Sequence, residues 1–295
     1  MKTVPRWDAP PPELMQYRQD HPSDATSPKA AAKAIWGRFT VSDAYKATMS
    51  SLFAAQGALC AYCEQSLVWT DDELAATAGE RGTRGPTGAR VELDSQIEHL
   101  LAKSVDDGRT LDPNNLIACC AGGSAKHLAV TPERYAVATG KDSNISCGQM
   151  KDSADLPFDP RALPVSPPLL RVGLEGDVYA DPVGCAAAGL SESVVNDAIN
   201  IALNLNCARL TEARRVRHKK ARELVEWLAL HAHGARKPET QLAAWLNSTA
   251  ADQLAPNESG HLQPFWSVWR QALSPFSERW IDANRAVLNL PPVLP

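Results

Sequence analysis

The sequence predicts an α+β protein, mostly helical, with a small β-hairpin module set between helical N-terminal and C-terminal regions. Three observations predict it. Apolar residues recur at helical spacing across Ser42–Gln56 and again from Val194 to His231. Two short runs, Val91–Leu101 and Leu116–Cys120, read instead as strands, with turn-forming Leu111-Asp112-Pro113-Asn114-Asn115 between them. Cysteines 60, 63, 119, 120 and 147 bracket that pair of strands. The expected organisation is therefore 1–56, an N-terminal arm and helices; 57–160, the cysteine-bracketed module; and 161–295, a C-terminal helical region.

Each element has its own reason. Prolines 5, 10, 11, 12, 22 and 28 keep the first 34 residues from forming long helices, leaving an extended arm with a short helix near Glu13–Arg18. Helices follow over Ala30–Phe39 and Ser42–Gln56; Ala44, Met49, Leu52 and Phe53 share a face of the second, and Gly57 stands at its end. Residues 71–89, rich in Gly, Thr, Ala and charge, predict a loop insertion, and another insertion, containing Gly122-Gly123 and Tyr135, separates Cys120 from Cys147. Cys147–Asp152 opens a short helix. Prolines 157, 160, 164, 167 and 168 predict a linker, and Glu175-Gly176-Asp177 turns a hairpin within Leu169–Tyr179. Ser191 then caps a helix, with Ile199, Leu203, Leu205 and Leu210 as apolar anchors. Glu212–His231 is a long amphipathic helix, and further helices lie near Thr240–Leu246 and Pro264–Ala272.

Composition narrows the function. At 295 residues and 44% hydrophobic, the chain has enough apolar material for a core. Its formal net charge of −4 is not that of a phosphate-tracking surface. Nucleic-acid contact must come from a local patch or a partner. No apolar run approaches the roughly 20 residues that span a bilayer, and Met1-Lys2-Thr3-Val4-Pro5 lacks an apolar leader. A soluble, cytoplasmic protein without membrane contact is expected. Basic residues crowd Arg209–Arg222, where they serve either a phosphate backbone or a solvated helix flank beside Glu212, Glu223 and Glu226. Trp227, Trp245, Trp266, Trp269 and Trp280 fall on helical patterns and read as core or subunit interface rather than base-stacking platforms.

The cysteines carry the first chemical signal. A reducing cytoplasm disfavours disulfides, so clustered thiols are better read as ligands. Zinc takes four thiolates or imidazoles in a tetrahedron, and Cys60-x-x-Cys63 supplies two from one knuckle. The second pair comes from Cys119 or Cys120 together with Cys147; on a strand the adjacent cysteines point opposite ways, so only one is expected to bind. Free core thiols are the bland alternative, and the one adopted for Cys185 and Cys207. A thiol-redox protein is disfavoured because no βαβ pattern surrounds Cys60–Cys63.

Glu98-His99 is the second signal. Phosphodiester hydrolysis needs a base for water and a cation against the developing charge. His99 suits the first task and Glu98 the second, although a lone Glu-His pair is by itself unspecific.

Taken in order, Cys60-Ala61-Tyr62-Cys63-Glu64, Ile97-Glu98-His99, Asn115-Leu116, Cys120-Ala121-Gly122-Gly123 and Cys147 to Asp152 resemble the cysteine-bearing branch of the HNH endonucleases. More narrowly, the pattern is similar to the HNH component of Septu-type and retron-associated anti-phage systems, and the likeness spans most of residues 40–215. The resemblance implies a ββα-metal module embedded between the helical regions. It implies His99 as general base, Glu98 as ligand of a catalytic Mg²⁺ or Mn²⁺, and Asn115 as the brace that orients His99. It also implies Cys60, Cys63, Cys120 and Cys147 around a structural Zn²⁺, with Cys120 preferred to Cys119 by the family's cysteine-then-glycine order. The substrate would be DNA, with RNA the other candidate. The partner would be an ABC/SMC-like ATPase in a hetero-oligomer. One departure stands out: Gly148 occupies the position where these nucleases carry a second metal ligand, for which Gln149, Asp152 or waters are the candidate substitutes, and Ala102 stands where proline is frequent. A zinc-stabilised adaptor that has lost catalysis is therefore the rival expectation.

Overall fold

The computed structural model of the chain describes residues 2–5, 7, 9–26, 28–68, 95–105, 107–122, 145–234 and 237–291. The expected insertion at 71–89, the strand's first residues 91–94, and Gly123 and Tyr135 of the second insertion lie outside them.

Four helices open the chain: α1 (Pro12–Asp20), α2 (Pro22–Thr26), α3 (Ala32–Phe39) and α4 (Asp43–Gln56). Proline stands first in α1, where its missing N–H costs nothing. Ser42 caps α4 by accepting from the Tyr45 amide, and Gly57 closes the helix in the left-handed conformation, φ 64°. Strand β1 (Ser95–His99) then pairs antiparallel with β2 (Leu116–Cys120), and α5 (Cys147–Lys151) follows. The register sets Gln96 opposite Cys119, Glu98 opposite Ile117 and His99 opposite Leu116. Every residue of β2 is buried, because α4 and α5 both pack against it.

A second hairpin, β3 (Leu170–Val172) and β4 (Val178–Ala180), precedes α6 (Pro182–Ala188) and α7 (Glu192–Asp197). A π-turn at Ala198–Ala202 leads to the longest helix, α8 (Ala208–Ala232), then α9 (Pro238–Leu254), α10 (Trp266–Ala272) and α11 (Phe276–Ala283). The architecture is thus α+β with helix predominating and two small antiparallel sheets. No helix among the described residues is long and apolar enough to cross a membrane.

Two apolar cores organise these elements. One joins Leu14, Phe39 and Leu52 to Cys60, Leu116 and Leu210, and so draws on all three expected segments. The other gathers Leu228, Leu254, Trp266, Trp269 and Ile281 from α8–α11, with Trp245 and Trp280 packed against it. Trp227 lies outside both cores: it is 52% exposed and stands against the His231 ring.

The proline-rich stretch is not a free linker. Phe158, Leu163 and Val165 are buried, the Val4 amide donates to Pro160 O at 2.9 Å, and Thr3 Oγ1 donates to Leu163 O at 3.1 Å. Proline removes donors but leaves carbonyls, and the N-terminal arm takes them up. Buried Glu64 fastens the arm from the other side, accepting from the Lys2 amide as well as from the Ser267 amide (2.8 Å) and hydroxyl (2.6 Å).

Candidate metal centre and its acid–histidine pair

The knuckle is shaped by backbone geometry. After α4 the chain reverses so that the Cys60 amide donates to Gln65 O at 2.9 Å and the Glu64 amide to Cys60 O at 3.1 Å. Ala58 and Glu64 both adopt positive φ to make the turn, 57° and 63°. The Gln56 side chain joins knuckle to sheet: its Nε2 donates to Leu59 O and Ala118 O, both at 2.9 Å, while its Oε1 accepts from the Ala118 amide at 2.8 Å. The Ala61 amide adds a bond to Ala118 O. Cys60 is thereby held over the end of β2.

Cys147 arrives from the opposite side. Its amide donates to Leu203 O at 2.8 Å, and it enters α5 with φ 57°, a strained setting for a residue with a side chain. Gly122 makes the approach possible, since a Cβ there would lie 2.1 Å from Ser146 O. The Sγ atoms of Cys60, Cys119, Cys120 and Cys147 all lie within 4.8 Å of one another. Individual separations are 3.7 Å for Cys60–Cys119 and 3.9 Å for Cys60–Cys147. A tetrahedral metal with sulfur bonds of about 2.3 Å sets its sulfurs about 3.8 Å apart, whereas a disulfide needs about 2.05 Å. The thiols are free and spaced for an ion. These four cysteines lie close enough to hold a metal.

Cys63 stands beside this quartet, its Sγ 3.8 Å from that of Cys120. Only one of Cys119 and Cys120 is expected to bind, yet the Sγ atoms of both lie in the quartet. The strand ends at Cys120, and the cluster wraps that end. Cys119 turns toward Cys60 and the Gly148 amide, while Cys120 turns toward Cys63. Cys185 and Cys207 are buried and take no part in the quartet.

Burial pushes the Cys63, Cys119 and Cys147 thiols well up. The Cys120 thiol is held down at about 5, first by its bond with Cys119. Burial opposes ionisation of Cys60, yet bonds from its cysteine neighbours carry it well below the usual thiol range. Buried cations face the cluster. Arg209 donates from Nη2 to Ser146 Oγ at 2.9 Å, and that hydroxyl lies 3.6 Å from Cys147 Sγ. Arg214 is buried as well, donating to Leu205 O at 2.8 Å. These two basic residues of α8 therefore serve the interior, and Arg215, Lys219 and Arg222 pair with Glu212, Glu223 and Glu226. The α8 basic run is for the most part an internally compensated flank.

Glu98 and His99 leave β1 on opposite faces. The Glu98 carboxylate meets α5, where Lys151 Nζ lies 3.2 Å from Oε1 and also donates to His99 O at 3.0 Å. Burial raises the Glu98 carboxyl to about 7, against the pull of Lys151. His99 is 6% exposed, packs edge-on against the Trp36 ring at 4.5 Å and places Nε2 3.0 Å from Thr110 O. Burial lowers its pKa to about 4, so the ring is neutral at pH 7. A carbonyl acceptor at Nε2 assigns the proton there and leaves the lone pair on Nδ1, which has no hydrogen-bond partner among the described residues.

Asn115 staples the loop between the strands. Its Oδ1 accepts from the Leu101 amide at 2.8 Å, and its Nδ2 donates to Leu101 O and Arg109 O at 2.9 and 3.0 Å. The adjacent Thr110 carbonyl is the one that holds His99.

At Gly148 there is no room for a ligand side chain: a Cβ would fall 2.6 Å from Glu98 Oε2 and 3.0 Å from Gln96 Nε2. Lys151, buried at 1%, and Gln96 are thus members of the site that motif reading passed over. Gln96 was findable, being two residues before Glu98 and hence on the same strand face. Lys151 had only its place four residues after Cys147 within the resembling 147–152 segment, and Thr110 acts through its carbonyl and carries no sequence signal. No protein-family model matches the chain, and no curated protein matches it.

Proposed function

We propose that the chain is a metal-dependent endonuclease of the HNH type, with a structural Zn²⁺ in the thiol cluster. The observation that carries this reading is that one clamped hairpin carries, on adjacent β1 residues, a neutral histidine whose Nδ1 has no hydrogen-bond partner among the described residues and a largely buried carboxylate held by Lys151 through Oε1 alone. Cys60, Cys120 and Cys147 hold the zinc with Cys119 or Cys63, and the ion fixes the end of β2 without taking part in the chemistry.

Glu98 suits Mg²⁺ or Mn²⁺: one carboxylate, with Oε2 free of hydrogen bonds among the described residues, plus waters is a donor set these hard ions accept. When bound, the ion neutralises charge developing on the scissile phosphate. His99 takes the proton of the attacking water on Nδ1, oriented by Thr110 O, while Asn115 holds that loop in place. Lys151 steadies Glu98 and caps the His99 carbonyl. DNA is the proposed substrate, with RNA as the second. Because Arg215, Lys219 and Arg222 of α8 pair with acids, Arg209 and Arg214 are buried and the net charge is −4, the nucleic-acid grip falls to a partner, for which the resemblance nominates an ABC/SMC-like ATPase in an anti-phage hetero-oligomer.

A second reading has its own observation. Gly148 offers no ligand atom and Lys151 already pairs with Glu98, which suits a zinc-stabilised adaptor without catalysis. Plasmid and single-stranded RNA cleavage with Mg²⁺ or Mn²⁺, parent against His99→Ala, separates the two. Metal-dependent cleavage lost in the variant supports the nuclease. Equal activity, or none in the partner's presence, supports the adaptor.

A further inference from the structure

We propose that Gln96 is the second protein ligand of the divalent cation, supplying the donor that Gly148 lacks; the proposal rests on the nuclease reading above. Gln96 and Glu98 are two residues apart on β1, so their side chains leave the same face. Both reach one point over the start of α5. The position a Cβ would take on Gly148 is 2.6 Å from Glu98 Oε2 and 3.0 Å from Gln96 Nε2. A side chain at 148 would have to displace these two side-chain ends.

The Gln96 carboxamide is itself held, its Oε1 accepting from Gln149 Nε2 at 2.8 Å. Oxygen and nitrogen of a carboxamide are nearly isosteric, and their assignment follows the hydrogen-bond network. Turning both carboxamides over keeps the Gln96–Gln149 bond with donor and acceptor exchanged. It also brings Gln96 Oε1 to the point beside Glu98 Oε2. Carboxylate oxygen, amide oxygen and waters form a hard, all-oxygen set of the kind Mg²⁺ and Mn²⁺ prefer. Lys151 does not obstruct it, since its ammonium is bonded to the other carboxylate oxygen, Oε1. Gln149 becomes a positioning residue, fixing which way the Gln96 amide faces. The Gln96–Gln149 bond is exposed, so a cation and its waters can approach from that side the Glu98 carboxylate, whose side chain is 12% exposed.

Mn²⁺ binding to the zinc-loaded full chain, read by electron paramagnetic resonance titration, tests this. Gln96→Leu should weaken Mn²⁺ binding about tenfold, the scale found when groups around a metal are removed, while Gln96→Glu retains or tightens it and zinc content stays constant. Unchanged Mn²⁺ affinity in Gln96→Leu, with binding lost in Glu98→Gln, overturns the Gln96 assignment and leaves the nuclease reading standing. A parent chain that binds no Mn²⁺, or a Glu98→Gln variant that binds it as the parent does, overturns both.

Discussion

The Glu98 carboxylate fills the volume that any side chain at residue 148 would need, approaching within 2.6 Å of the site of a Cβ. Restoring the resembled family's ligand by Gly148→Asn should therefore harm the site. We expect a loss of about 1–3 kcal/mol in urea-unfolding stability, typical of overpacking, and weaker Mn²⁺ binding in the folded fraction. A Gly148→Asn chain that is as stable as the parent and binds Mn²⁺ more tightly would show that Glu98 moves aside freely.

The thiols make a separate prediction. Cys60, Cys120 and Cys147 belong both to the quartet that the structure brings together and to the one that the resemblance implies, so a Ser substitution at any of them should abolish stoichiometric zinc measured on the purified protein. Cys63 and Cys119 stand beside the shared three, with separations of 3.8 Å to Cys120 and 3.7 Å to Cys60. Cys63→Ser and Cys119→Ser should each retain one equivalent, and the double variant should not. Loss in one single variant alone would identify a fixed fourth ligand.

The acid–histidine pair should leave opposing signatures in stability against pH. His99 is depressed from 6.5 to about 4 by burial, so between those values the unfolded chain binds the extra proton and stability rises with pH. Glu98 is raised from 4.5 to about 7, again chiefly by burial, so the folded chain holds the proton and stability falls as pH rises through that window. Each effect amounts to about 3 kcal/mol, and between 4.5 and 6.5 the two largely cancel. Without added divalent cation, Glu98→Gln should steepen the rise relative to the parent, and His99→Gln should reverse it. Parallel curves for all three proteins would refute both shifts; comparison with the parent removes the thiols' common contribution.

Asn115 makes three hydrogen bonds while only 2% exposed. Asn115→Ala removes the part-buried acceptor of the Leu101 amide and the donor to two carbonyls, at an expected cost of about 1–2 kcal/mol. Faster amide exchange should follow at residues 101–110, with the thiol cluster and its zinc unaffected. If the loop's protection is unchanged, Asn115 is not its brace.

The hairpin and the helix after it were legible because their signals are local. Turn residues at 111–115 and the β2 run gave the strand to the residue, and Ser42 and Gly57 announced the ends of α4. Long-range relations were not legible. The prolines at 157–168 signal an absence of regular structure, and only the tertiary fold reveals that Phe158 and Leu163 are buried. Helix α6, short and made mainly of Ala, Gly and Val, carries no periodicity, although Asp181 caps it by accepting from the Gly184 amide. Arg209 and Arg214 look like surface cations on a helical wheel, and only their neighbours show that they face thiols and carbonyls.

Glu64 takes hydrogen bonds from residues 62 positions before it and 203 positions after it. During synthesis, another 203 residues must follow Glu64 before that carboxylate gains its Ser267 partners. A fragment cut at the boundaries of the 57–160 segment would carry Glu64 without any of them, its buried charge exposed beside the knuckle. Biochemistry on the cysteine module therefore belongs to the intact chain, and a failed fragment would say nothing about what the protein does.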